Sequence, residues 1–180
     1  MIQRRTLLSA TAVAPLAALT GCASQNLAGY ASEKPVLDLT RYFNGTVDAH
    51  GIFQGRSGQI VKRFTVVMEC SWRGNEGVLD EAFTYSDGTT QRRIWRLTQH
   101  ADGHYTGTAD DVVGTARGQT QGNAFRWGYT LALPVDGKVY HVDFDDWMYL
   151  IDERVMLNRA TMSKFGVRLG EITLSFTKRT

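Results

Sequence analysis

The chain has 180 residues, with 20 Lys and Arg against 18 Asp and Glu. So even a charge balance gives no electrostatic reason to expect nucleic acid as a partner. The length fits one domain able to bury a core of its own.

The first element is a leader. Arg4-Arg5 precede an apolar stretch from Leu7 to Leu19, which is followed by small residues and Cys22. That order is the order of a secretory signal peptide, expected over residues 1–21. The apolar stretch is interrupted by Pro15 and falls short of the roughly 20 residues that a bilayer-spanning helix needs. Leu19-Thr20-Gly21-Cys22 resembles a bacterial lipobox, so Cys22 is expected to carry lipid as the first mature residue. A diacyl group with an added acyl chain exceeds the two signals that stable membrane anchoring needs. Ala23 at the next position favours the periplasmic face of the outer membrane. Arg4-Arg5-Thr6-Leu7-Leu8 is similar to a twin-arginine signal, but Gln3 stands where a hydroxyl residue is usual, and both export routes stay open.

Removing the leader takes away Arg4 and Arg5 and no acid, which leaves 18 charges of each sign. With Cys22 acylated, Cys70 has no partner for an intrachain disulfide and is expected to be an inert core thiol. Residues 22–35, small and polar, read as a lipidated tether, and residues 36–180 as one domain.

From about residue 43 the dominant period is two. Strands are expected near 46–54, 59–72, 77–86, 90–99, 104–109, 112–118, 123–134, 138–152 and 170–178, with helical periodicity only around 153–165. In 125–133, for example, Phe125, Trp127, Tyr129, Leu131 and Leu133 share one face. Ser86-Asp87-Gly88, Ala101-Asp102-Gly103 and Val135-Asp136-Gly137 carry hairpin-turn chemistry. The expected fold class is all-β: an antiparallel up-and-down barrel or strongly curved sheet of eight or nine strands, with a two-sheet sandwich as the alternative.

Three charges interrupt the apolar faces: Glu81 beside Leu79 and Phe83, Arg93 beside Trp95 and Leu97, and Asp146 beside Phe144 and Met148. A charge on such a face needs a partner, so at least two of them should meet, with Arg93 bridging a carboxylate. They form either a structural ion pair or a ligand-anchoring polar network. Asp145 and Asp146 look like paired carboxylates, but neighbours in a strand point to opposite faces. Trp72, Trp95, Trp127 and Trp147 are candidate cavity aromatics. Catalytic signatures such as G-x-S-x-G or H-E-x-x-H are missing, so no catalytic residue, metal or cofactor is expected. His100 and His104 flank a turn rather than share a helix face, which argues against a metal site.

Gly107-Thr108-Ala109-Asp110-Asp111-Val112-Val113-Gly114, then Gly122-Asn123-Ala124, and the long run from Asp145 to Phe176 resemble a family of bacterial lipoproteins known as domain of unknown function 3833. The resemblance spans nearly the whole mature chain and implies a calycin, lipocalin-like barrel and an envelope location. It carries no established activity. Phe43-Asn44-Gly45 stands where lipocalins have a glycine–tryptophan pair, so no lipocalin ligand carries over.

Three functions follow in order of weight. The first is a carrier of a hydrophobic or amphipathic envelope molecule, such as a fatty acid or lysophospholipid, held in a barrel cavity. The second is a structural or interaction lipoprotein that supports envelope maintenance through a protein partner not identified by sequence. The third is a hydrolase using Glu81 or Asp146 as acid or base.

Overall fold

A computed structural model describes residues 25–180. The expected signal peptide and Cys22 lie outside the described residues.

Among them are ten strands: β1 (Gly45–Gly55), β2 (Ile60–Arg73), β3 (Glu76–Tyr85), β4 (Thr90–Gln99), β5 (His104–Thr108), β6 (Ala116–Gln121), β7 (Ala124–Val135), β8 (Lys138–Leu150), β9 (Val155–Lys164) and β10 (Val167–Lys178). Each pairs antiparallel with the next, and β10 returns to pair with β1. The result is a closed up-and-down barrel, which leaves no sheet edge unpaired.

Alternation builds the wall. Along β2, Phe64, Val66, Met68 and Cys70 are buried while Arg63, Thr65, Val67, Glu69 and Ser71 between them are exposed. Asp102, Asp136 and the glycines that follow them hold positive φ, as the Asp-Gly turns require.

Two segments depart from the expected elements. Residues 155–164, where helical periodicity was expected, form β9, which raises the strand count to ten. The inward residues of β9 are Met156, Asn158, Ala160 and Met162, all buried. An amide and a methyl in two of four inner positions hide the period-two pattern, and the Met, Leu, Arg and Ala content favours helix locally. β6 begins four residues later than expected, at Ala116. Residues 109–115 are instead a loop that lies beside the upper half of β7, where Val113 N donates to Thr130 O (2.9 Å) and Ala132 N donates to Asp111 O (2.8 Å).

One end of the barrel is plugged. Asp38 caps a single helical turn, α1 (Leu39–Tyr42), by accepting from Thr40 N at 2.9 Å. Leu37, Leu39, Tyr42 and Phe43 drive into that end and are all buried. Upstream, the described part of the expected tether does not stand away from the barrel. Tyr30 packs on Trp147 and Tyr149, with ring centroids 6.1 and 5.5 Å apart, and Leu37 N donates to Gly122 O at 2.8 Å. Gly122 (φ +54°) permits this, since a Cβ there would lie 1.7 Å from Tyr30 O.

Candidate functional site

The barrel is hollow. A cavity of ≈ 930 Å³ runs from Leu39 and Phe43 at the plug to Val61, Thr90 and Val135 at the opposite end. Its wall is mostly apolar, with Met68, Trp95, Trp127 and Phe144 among the lining side chains. The volume lies near the top of the range for small-molecule sites, about 300–1,000 Å³. The turns at 56–59, 86–89, 136–137 and 165–166 ring the open mouth. Exposed apolar side chains stand there, among them Val61, Val135, Val139 and Phe165, the last 91 % exposed.

Polar side chains project into this apolar interior from β3, β4, β7, β8 and β9. Glu81 and Arg93 sit directly opposite each other on β3 and β4. Arg93 Nη1 lies 3.8 Å from Glu81 Oε2, an ion-pair distance without a hydrogen bond. The donors of Arg93 go instead to Asp111: Nε donates at 3.0 Å to its Oδ1 and Nη2 at 2.7 Å to its Oδ2. This fork is the strong, bidentate form of the contact. Arg93 therefore does bridge carboxylates, Glu81 and Asp111.

Asp146 lies apart from that group. Its side chain accepts from Tyr129 Oη (3.2 Å) and from Asn158 Nδ2. Among the described residues no cation stands within ion-pair distance of it. Asn158, 2 % exposed, also donates from Nδ2 to Trp147 O at 3.2 Å. That carbonyl can only accept, so the amide nitrogen must face it, and Asn158 Oδ1 is left buried without a partner.

The electrostatics follow from this placement. Burial pushes the Asp146 carboxyl up to about 6, against the hydrogen bonds from Asn158 and Tyr129. Glu81 is raised to about 7 by burial, with Arg93 opposing and the Asp111 and Asp146 charges adding to the rise. The Tyr129 phenol is pushed well up by burial and by the charge of Asp146. Burial also raises the Cys70 thiol to about 12, helped by the charges of Glu81 and Glu69, which leaves it unreactive.

Of the candidate cavity aromatics, Trp95 and Trp127 line the chamber, with ring centroids 5.7 Å apart. Trp72 belongs to the plugged end, where its Nε1 donates to Phe43 O at 2.8 Å. Trp147 lies on the outside of the barrel under Tyr30, because its neighbour Asp146 takes the inward position on β8. Asp145 likewise faces outward and pairs with Arg126 at 2.7 Å. Two members of the inner cluster, Asp111 and Asn158, are additions to the residues picked from sequence. Among the described residues no group of three His, Cys, Asp or Glu is placed to hold a metal ion. His104 Nδ1 is instead 2.7 Å from Asp102 Oδ1.

An antiparallel barrel closed on itself, plugged at one end and hollow inside, defines the class as a lipocalin-like barrel. Residues 16–178 match the family described as "Protein of unknown function (DUF3833)", and the chain belongs to that family. Among solved structures, the chain is similar to an S-type phycobiliprotein lyase from Guillardia theta, at a TM-score of 0.59 and 6% identity, over 79% of this chain and 92% of that one. It is also similar to a protein of unknown function of the DUF3598 family from Nostoc punctiforme, at a TM-score of 0.53 and 12% identity, over 82% of this chain and 51% of that one. At such identities these likenesses establish the fold alone. No curated protein matches the chain.

Proposed function

We propose that this protein is a carrier of the bacterial envelope, anchored by lipid on Cys22 at the periplasmic face of the outer membrane, whose barrel holds a hydrophobic or amphipathic molecule. The observation that carries the reading is the ≈ 930 Å³ chamber, lined mainly by apolar side chains and open at one end. At about 30 Å³ per water, such a chamber holds on the order of thirty waters against walls that offer most of them no hydrogen bond. Displacing them with an apolar chain is favourable at about 25 cal/mol per Å² of apolar surface removed from water. The exposed apolar side chains at the mouth, Val61 and Val135 among them, give the ligand an apolar approach.

The test is binding of the apolar fluorophore diphenylhexatriene to the purified protein, compared with Ala160→Phe and Leu131→Phe, which place an extra ring in the chamber at two lining positions. Saturable binding that weakens at least about tenfold, or about 1.4 kcal/mol, in either folded variant is the expected result. Equal binding by wild type and variants places the dye on the outside. The same apolar rim then favours the second reading, an interaction lipoprotein that docks a protein partner through its mouth.

A further inference from the structure

The charges around the chamber do not balance. Three carboxyls, Glu81, Asp111 and Asp146, stand against one guanidinium, that of Arg93, which lies within ion-pair distance of Glu81 and Asp111 only. Its Nε and Nη2 donors are taken by Asp111. Lys62, at the mouth, is paired with Asp87 at 2.9 Å. The carboxyl of Asp146 is thus 6 % exposed with only neutral donors around it, the Tyr129 hydroxyl and the Asn158 amide. Beside it, Asn158 Oδ1 has no donor at all. Buried polar groups left so cost free energy, and natural interiors rarely leave them unfilled. Arg93 Nη1 keeps free N–H donors beside Glu81, but around Asp146 the free valences are acceptors, its own carboxyl and Asn158 Oδ1.

An anionic head group would meet three carboxyls and a single guanidinium, forked on Asp111 and turning its remaining nitrogen to Glu81. A fatty acid, expected from the sequence as a ligand, is therefore a poor electrostatic match. An ammonium group fits, because it carries the missing positive charge and N–H donors for the Asp146 carboxyl and the unpartnered Asn158 Oδ1 beside it. Resting on the carrier reading above, we infer that the ligand is an amphiphile whose polar end is a protonated amine, received by Asp146 and the free Oδ1 of Asn158 with Glu81 as a second acid of the same chamber, and with its apolar chain along Trp95, Trp127 and Phe144.

The test is native mass spectrometry of the full chain, released from detergent and offered dodecylamine, dodecanol and dodecanoic acid at equal concentration. At pH 7 dodecylamine is retained at least about tenfold more than dodecanoate. Asp146→Asn, and separately Glu81→Gln, abolish that preference while dodecanol retention stays unchanged, which shows that the chamber survives. Amine retention also falls as the pH drops from 8 to 5, because Asp146 takes up a proton in place of the ligand. Retention of dodecanoate equal to or above that of the amine, or an amine preference that both variants keep, overturns the inference and leaves the carrier reading standing. Retention of none of the three overturns the carrier reading itself.

Discussion

Arg93 holds two carboxylates at once, and its side chain is 14 % exposed. Removing it leaves Asp111 without its fork and Glu81 without a counter-ion. Breaking a buried pair from one side costs about 3–5 kcal/mol. Arg93→Met is expected at the lower end, about 3 kcal/mol, because Glu81 can take up a proton. Urea unfolding should show the loss as a lower midpoint at unchanged slope, and adding Asp111→Leu should restore part of it. An Arg93→Met midpoint equal to that of wild type would mean that the bridge contributes nothing to the fold. At this scale much of the site was legible. Glu81, Arg93 and Asp146 stand out because a charge on an alternating apolar face has few explanations. Asp111 was not legible as a partner, because it sits in a loop where no period assigns it a side. Asn158 was missed because its strand has helix-like composition and its side chain carries no charge. Trp147 shows the alternation rule going unused: once Asp146 faces inward, the next residue must face out.

Among the elements, the least expected is the N-terminal segment. A small, polar stretch reads as a spacer, yet Tyr30 turns it into a cover for Trp147 and Tyr149. A single aromatic residue among small ones gives no periodic signal. The contact depends on Gly122, the only residue type that tolerates both φ +54° and the approach of Tyr30 O. Gly122→Ala should lift the segment away while the barrel stays closed. The expected readout is red-shifted, more quenchable Trp147 fluorescence and faster proteolytic cutting near Tyr30, with far-UV circular dichroism unchanged. Protection equal to wild type would show that the segment is held by other contacts. The hairpins with Asp-Gly turns were legible from their chemistry. β9 was not, since its alternation runs through Asn158 and Ala160 rather than through large apolar residues.

For the whole molecule, two sets of carboxyls pull stability in opposite directions with pH. On the surface, hydrogen bonds from Arg179 to Asp48 and from Arg92 to Asp80 hold those acids below their ordinary range. Their contribution is present above about pH 4 and is lost as the solution becomes more acid. Inside, Asp146 and Glu81 are raised to about 6 and about 7. Each takes up protons more readily folded than unfolded, so its contribution is complete below about pH 4 and disappears as the pH rises through those values. The ligand-free barrel is therefore expected to be more stable at pH 5 than at pH 8. At about 2–4 °C per kcal/mol for a domain of this size, calorimetry should find Tm at pH 8 lower by at least about 4 °C. Asp146→Asn should flatten that slope, and a wild-type Tm that rises from pH 5 to pH 8 would contradict it. The closed, up-and-down architecture was legible as one of three candidate arrangements. What alternation could not specify is closure itself, because pairing is decided between distant segments.

That closure joins the first strand to the last. β1 (Gly45–Gly55) finds its second neighbour only in β10 (Val167–Lys178). During synthesis the chamber cannot shut until β10 has left the ribosome, whatever has folded before it. Until then the outer strands expose unpaired backbone that invites association with other chains. Contacts of such long sequence separation also place the chain among slow folders. On the proposed envelope reading, a route that threads extended polypeptide would carry a chain that is slow to close.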